Sequence, residues 1–400
     1  MTAILAALPL VGCAPSAPSE EKYVTYLSLS DLTGPGAGLV LPVVEAMGFA
    51  FDDLNSRGGV DGIKVKVITV DTRYDTARTI SAYKRYRSEH KVIFAFIPLL
   101  AAVKTLAPLM EADKVSSMTP ADGEFQAHIG RVFLAALPYQ DGFAASLDWM
   151  LKDWKAKGKS GVPAVGYMSW DNVYGREPLH GGKEYAEKIG VKLLNPEYFP
   201  PGAADHTVWL SRINEAGADY CYLGGVDPTQ SLILRDALKL GLNKKIQFVS
   251  EYWGLDENVG VKLHPEATEG AVVCSPFIRG DEARNLPVVA EMWKKYAKGP
   301  ISEMKAMFPA GILASGYTEQ ALKIALGDVG YDKLNGEAVY QAYQKLTGLD
   351  AKGVTGPCAY SPTSRKSTEF VRFYRVQSGK TVPITDWGKA PDAVSLYRNW

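Results

Sequence analysis

One pattern recurs along the chain and leaves few folds open to it. From Tyr23 onward, a short apolar or alternating run leads into a turn containing Gly, Pro or Asp. A longer run with apolar residues three and four apart then follows. "IKVKVITVD", Ile63 to Asp71, alternates and predicts a strand. "TARTISAYKRYRSE", Thr76 to Glu89, has helical spacing, and "KVIFAFIP", Lys91 to Pro98, is a continuous apolar strand. Continuous apolar runs mark strands covered on both faces. Strands that alternate with helices become neighbours through crossovers, so the repetition predicts parallel sheets covered on both faces.

The alternation occurs in two blocks, Tyr23 to about Pro120 and about Pro163 to Phe277. The second holds "PAVGYMSWD", "VKLLNPEYFP", "ADYCYLGGV", "IQFVSEYW" and "EGAVVCSPF" as strands. Two doubly wound lobes are therefore expected, which suits 400 residues. The last third departs from the rhythm. "NLPVVAEMWKKYAKG", "GYTEQALKIALGDVG" and "LNGEAVYQAYQKLTG" predict three helices, and Pro357 to Gly388 predicts a β-hairpin turning at Ser378-Gly379. No tandem repeat is visible.

The N-terminus has its own logic. An apolar stretch ends in Leu10-Val11-Gly12-Cys13 and passes into the Pro/Ser/Ala-rich "APSAPSEE". Small residues before a cleavage point mark a signal peptide, and Cys after Leu-Val-Gly looks like a bacterial lipobox. Residues 1–12 are then the signal peptide, Cys13 the lipidated residue, and 13–22 a tether. A signal peptide ordinarily opens with Lys or Arg, and Met1 to Leu10 has neither. A start assigned too late in the gene accounts for that.

Searches for chemistry return little. Lys plus Arg and Asp plus Glu are both 44, and no basic cluster is interleaved with aromatics, so no nucleic-acid partner is expected. No GxxxxGK[ST] and no GxSxG occur. Gly34-Pro35-Gly36 lacks the full dinucleotide pattern, and Pro35 removes an N–H that a pyrophosphate uses. Ser302 to Lys305 fits SxxK without its companion motifs, and Asp52-Asp53 reads as a solvated helix face. Five scattered His and no CxxC give no metal site, and no cofactor is expected. Beyond Cys13, Cys221, Cys274 and Cys358 read as buried thiols, with a Cys274–Cys358 disulfide as the alternative.

Several stretches together resemble the periplasmic solute-binding proteins of branched-chain amino acid ABC importers, with the type I periplasmic-binding-protein fold. They are "LTGPGA", "LNSRGGVDGIKVKVITVDTRYDTARTISAYKRY", "DNVYGRE", "GYTEQALKIAL" and "GVTGPCAYSP". The most diagnostic is Asn, two residues, Gly-Gly, an apolar residue and Gly before a strand ending in Asp. The likeness runs from about Tyr23 to Asp386. It implies an α/β protein of two lobes with parallel central sheets, three interlobe crossings and a ligand cleft between the lobes. The crossings fall near Leu137–Gln140, Ser275–Phe277 and Gly356–Ala359. That divides the chain into 23–139 plus 277–357 and 140–276 plus 358–400.

The same resemblance places the ligand at strand carboxyl ends, in the turns Leu32–Gly36, Pro98–Ala102, Thr119–Glu124, Trp170–Tyr174, Gly224–Asp227 and Glu251–Trp253. The expected contacts are Leu99, Leu100, Ala101, Thr119, Asp122 and Tyr139, with Trp170, Tyr174, Gly225, Glu251, Tyr252 and Trp253 opposite. Tyr174 matches a Tyr that helps close the cleft, and Glu251 stands where an acid pairs with an α-ammonium. Where the family shows a Ser- or Thr-bearing turn, this chain has Leu99-Leu100-Ala101. An Asp at 122 further disfavours a carboxylate. The expected solute is thus amino-acid-like or an apolar acid or amide, bound by a monomeric, exported, lipid-anchored protein that serves an ABC permease and is not an enzyme. The alternative is a ligand sensor of the same fold feeding a separate receptor.

Overall fold

The computed structural model describes residues 21–400, so Cys13 and most of the proposed tether lie outside the described residues. Five strands form an all-parallel sheet: β1 (Tyr23–Ser30), β2 (Lys64–Asp71), β3 (Val92–Phe96), β4 (Ser116–Thr119) and β5 (Val132–Leu134). Their order is β2-β1-β3-β4-β5. The sequence pattern reflects position in the sheet. β3, VIFAF, lies inside the sheet and is buried at every residue, whereas β2 at the edge has one buried residue, Val65. The motif preceding β2 also has a physical basis. The Asn55 amide donates to Val65 O and accepts from Val65 N, both at 2.8 Å. Gly59 has φ +75°, and a Cβ there would lie 2.1 Å from Ile63 O. Helix end and strand start are pinned together at a turn that only Gly can make.

The second sheet contains β6 (Ala164–Trp170), β7 (Lys192–Leu193), β8 (Glu197–Phe199), β9 (Tyr220–Leu223), β10 (Gln247–Ser250), β11 (Val272–Ser275), β12 (Phe370–Gln377), β13 (Lys380–Pro383) and β14 (Gly388–Lys389). Its main path is β13-β12-β11-β10-β9-β6-β7, with β8 paired to β6 and β14 to β12. β6 to β11 are parallel; β12 joins β11 antiparallel, and the hairpin to β13 turns at Ser378-Gly379. The two doubly wound lobes anticipated from the alternation are present.

Two elements between the blocks had not been anticipated. β5 and the Tyr139–Ala156 helix fill residues 132–156, and that helix is the first element packed against the second sheet. The third crossing also lies later than expected. Cys358 bridges Leu349, Lys366 pairs with Leu134, and Tyr360 Oη donates to Leu134 O at 2.8 Å. Tyr360 packs among Phe133, Tyr317 and Tyr343 of the first lobe. Residues 358–367 therefore stay with the first lobe, and the chain leaves it just before β12. The three cysteines of the described residues are free and buried, so the Cys274–Cys358 disulfide is not formed.

The three anticipated late helices, Pro287–Tyr296, Phe308–Val329 and Gly336–Tyr343, complete the first lobe. Phe308–Val329 packs along Ala37–Ser56 so closely that a Cβ on Gly311 would sit 2.2 Å from Val43 O. The Gly336–Tyr343 helix brings Tyr343 onto Phe94 of β3, rings stacked 4.5 Å apart. Each large side chain buried this way contributes roughly 1.5–3 kcal/mol by removing apolar surface from water.

Candidate functional site

Strand order locates the site before any side chain is considered. In the first sheet the chain steps from β1 out to β2 and then crosses back over β1 to β3 on its other side. In the second it steps from β6 to β7 and β8 and then crosses back over β6 to β9. At such reversals, adjacent connections leave on opposite faces of the sheet and open a crevice outside the strand carboxyl ends. The turns after β1 and β3 face those after β6 and β9, with the turn after β10 beside them.

The lobes meet at this crevice. Lys104 of the Leu100–Asp113 helix reaches Glu177 of the second lobe at 2.5 Å. The Tyr74 and Trp170 rings meet edge to face at 6.2 Å. At Gly38 a Cβ would lie 3.1 Å from Asp227 O, so the start of the Ala37–Ser56 helix touches the loop after β9. Ala306 N donates to Asp256 at 2.6 Å nearer the crossings. The cleft is closed.

Between the lobes a partly open cavity of about 40 Å³ remains, lined by Asp31, Gly36, Leu39, Val40, Tyr74, Pro98, Leu99, Leu100, Pro120, Tyr139, Tyr174, Val226 and Trp253. That space holds a few waters; pockets for small molecules run to about 300 Å³ and above. The lobes must part before a solute enters. A larger groove of about 570 Å³ lies on the first lobe among the Ala37–Ser56, Pro287–Tyr296 and Phe308–Val329 helices. It is away from either sheet's reversal point, and its charges Asp53, Arg57 and Lys295 already pair with one another.

The anticipated residues divide into three groups. Leu99, Leu100, Tyr139, Tyr174 and Trp253 line the cavity. Trp170, Gly225, Glu251 and Tyr252 stand directly behind them. Tyr252 stacks on Tyr139 at 5.9 Å, and Trp253 Nε1 donates to Tyr139 Oη at 3.0 Å. Tyr174 Oη donates to Gly225 O at 2.8 Å and contacts Glu251 Oε2. Glu251 is itself fully buried. Ala101, Thr119 and Asp122 do not line the cavity. Thr119 ends β4 with its hydroxyl buried and without a partner among the described residues, and Asp122 is buried against Lys104 at 3.0 Å.

Asp31, Leu39, Val40 and Tyr74 lie outside the anticipated turns and were missed, whereas Gly36, Pro98, Pro120 and Val226 lie within those turns without having been singled out. Asp31 is the last residue before the anticipated first turn. Its carboxylate accepts from Gly34 N at 2.6 Å and Gly36 N at 2.7 Å, which shapes the loop that starts the Ala37–Ser56 helix. Tyr74 lies in the turn after β2, at φ +58° beside Arg73 at +54°. Two consecutive residues in the left-handed region turn its ring toward the second lobe. The "DTRYD" between strand and helix was the available signal. Burial, and then the Asp31 charge, push the Tyr74 hydroxyl up to about 12, so it stays a neutral donor.

The charges at the cleft edge form one unit. Lys104 Nζ lies 3.0 Å from Asp122, 2.8 Å from Glu124 and 2.5 Å from Glu177, while Gln140 Nε2 donates to Glu177 at 3.0 Å. One cation serves two buried carboxyls. Burial and the Glu177 charge push Asp122 up to about 7. Glu177 is also desolvated, but His180 and Lys104 hold it below the usual range. Just past the second crossing Arg279 is buried and donates to Tyr252 O, Gly254 O and Leu255 O of the second lobe at 2.6–3.0 Å. It fixes the loop that carries Tyr252 and Trp253.

Comparison with known proteins agrees with this architecture. The model of a family described as periplasmic binding protein matches residues 28–381. A Leu/Ile/Val-binding protein homolog 3 of Brucella melitensis biotype 1 is 23% identical over 373 residues, covering 90% of this chain and 93% of that one. A branched-chain amino acid ABC transporter protein of Thermus thermophilus, solved with bound valine, superposes with a TM-score of 0.81 at 22% identity, covering 94% and 98%. A fatty acid ABC transporter substrate-binding protein of Thermomonospora curvata gives 0.79 at 18%, covering 95% of each. Two lobes closing over facing reversal points, joined by a match across most of the length, place the chain in the periplasmic binding protein family.

Proposed function

We propose that this protein is an extracytoplasmic solute-binding protein that captures an amino-acid-like solute or an apolar acid or amide and presents it to an ABC permease. The observation carrying the reading is the closed cleft. Leu99, Leu100 and Val40 from one lobe face Tyr174, Val226 and Trp253 of the other across the two reversal points. A solute held by one lobe gains contacts with the other only on closure, and those contacts shift the open–closed equilibrium. Closure is then the signal that a permease reads. Anchoring through Cys13 and a monomeric state complete the proposal, with lobes of 23–139 plus 277–367 and 140–276 plus 368–400.

The related proteins bind ligands as different as valine and, by name, fatty acids, so the solute class must come from this chain's own lining. Largely apolar walls with no Ser or Thr among the lining residues favour a solute with a sizeable apolar body. Each apolar group buried against them contributes roughly 0.8 kcal/mol per methylene. A thermal-shift screen of amino acids, apolar acids and amides tests this, because a ligand that binds only the native state raises the melting temperature. Stabilisation by an apolar acid or amide, without turnover, is expected. Hits confined to small polar amino acids overturn the solute class, and turnover overturns the binding-only reading.

A further inference from the structure

The cavity between the lobes has one charged residue in its lining, Asp31. The two oxygens of its carboxylate have different surroundings. Oδ1 accepts from Gly34 N at 2.6 Å, beside Gly34 and the Arg73 backbone, neither of which lines the cavity. Oδ2 accepts from Gly36 N at 2.7 Å and lies between two lining residues: a Cβ on Gly36 would sit 3.1 Å from Oδ2 and 3.3 Å from the Tyr74 ring. Oδ2 is therefore the oxygen on the cavity side. No side chain of the described residues donates to either oxygen. An ionised carboxylate accepts about four hydrogen bonds, so Asp31 keeps acceptor capacity at the cavity after the loop has used two.

No cation answers this charge. Lys104 at the cleft edge is shared among Asp122, Glu124 and Glu177, and Arg73 Nε lies 3.6 Å from Asp71; neither residue lines the cavity. The two N–H groups and the positive end of the Ala37–Ser56 helix, whose own first turn holds no acid, stabilise the anion instead. When the cleft shuts, water is driven from Oδ2, and a charged acceptor left short of donors is costly. A solute that brings an N–H removes that cost. Tyr139 supplies the complement across the cavity. Its Oη accepts from Trp253 Nε1 at 3.0 Å, and its own proton has no acceptor among the described residues. Burial pushes that hydroxyl well above its ordinary range, so it stays a neutral donor. A carboxylate on one wall and a free O–H on another match the N–H and C=O of an amide.

We propose that Asp31 is a specificity-determining residue that accepts an N–H of the solute, and that the cleft prefers amides and amines to solutes of the same shape without such a donor. The inference rests on the solute-binding reading and narrows its ligand, with Leu99, Leu100 and Val226 left to hold the apolar body.

Calorimetry on the exported, processed protein tests it with two isosteric sets. One is 3-phenylpropanamide, 4-phenylbutan-2-one (a methyl in place of the amide nitrogen) and 3-phenylpropanoate. The other is 4-methylpentanamide, 5-methylhexan-2-one and 4-methylpentanoate. The amide is expected to bind roughly tenfold or more tighter than its ketone and its acid, as fits a hydrogen bond to a charged group. A further probe, 3-phenylpropan-1-amine, tells the two donor classes apart: affinity equal to the amide's assigns the seat to any N–H, and weaker affinity assigns it to an amide held also by Tyr139. A ketone or acid binding as tightly as the amide overturns the inference and leaves the solute-binding reading intact. Failure of every member to bind also overturns it, while the wider thermal-shift screen decides the solute-binding reading separately. Asp31→Asn keeps the shape and removes the charge, and the amide-to-ketone ratio is expected to fall to about threefold or less. All affinities lowered together, with the ratio unchanged, would reduce Asp31 to a loop-shaping residue and overturn the assignment. Should Asp31→Asn fail to fold, Gly36→Ala decides, because its methyl crowds Oδ2 against Tyr74: a lowered ratio supports the seat, and an unchanged ratio overturns it.

Discussion

The ion pair between Lys104 and Glu177 gives closure a measurable handle outside the cavity lining. Replacing Lys104 by Met keeps most of the stem and removes the ammonium. Lys104 also contacts Asp122 and Glu124, but both belong to its own lobe, so those losses are common to the open and closed forms. Glu177 is the partner gained on closure. A hydrogen bond to a charged group contributes about 1.5–3 kcal/mol net. Its loss therefore disfavours closure about 10- to 150-fold. Repulsion of Glu177 by Asp122 and Glu124, once the cation is gone, acts in the same direction. Small-angle scattering of the ligand-free protein reads the open fraction through the radius of gyration. Calorimetry reads the affinity, which falls with the population competent to close. We expect Lys104→Met to open the lobes and weaken solute binding by at least tenfold, with Lys104→Arg recovering part of both. An unchanged radius together with a Kd within twofold of wild type would refute the assignment of this pair as a closure contact.

Three further outcomes follow from the site. Leu100→Ser puts a hydroxyl on a buried cavity wall; it should cost roughly 2–4 kcal/mol in urea unfolding and weaken an apolar solute, and unchanged affinity removes Leu100 from the site. Arg279→Met strands three carbonyls and leaves Asp227 and Asp256 without their cation. It should cost roughly 3–5 kcal/mol and blunt binding through the Tyr252–Trp253 loop, so full stability would contradict the packing described. Stability should also fall as pH rises from about 5 to 8. Asp122 and Asp227 are pushed up to about 7 and Asp141 to about 6, each mainly by burial. The native state then holds more protons than the unfolded state above pH 4, and the slope of unfolding free energy with pH is negative until these groups ionise. Towards low pH, His206 and His264, held down by burial, and the lowered Asp53, Asp236 and Asp281 work the other way. Melting curves from pH 4 to 8 should therefore peak at about pH 5–6; a maximum above pH 7 contradicts this balance.

What could be read from the chain in advance follows from how locally each feature is encoded. Strands buried on both faces, such as β3, and helices with spacing of three and four declare themselves within a few residues, so the two lobes were legible. β5 and the following helix were not, because Val132–Leu134 is only three residues long and the Tyr139–Ala156 helix is buried almost all round in its first half. Neither presents a clean period. The third crossing was misplaced for a related reason. Whether 358–367 stays with the first lobe depends on Tyr360 and Lys366 meeting β5, a partner more than two hundred residues away. The turn residues Leu99, Leu100, Tyr174 and Trp253 were within reach, since strand carboxyl ends are fixed once the strands are. Tyr74 was not, because the strand order β2-β1 places it, and two positive φ values in succession turn it inward. Glu251 shows the deeper limit. Its position at the end of β10 was legible, but its burial behind Tyr174 is set by side chains from other turns, so an acid that reads as an open counter-ion in one dimension lies behind the cavity wall in three.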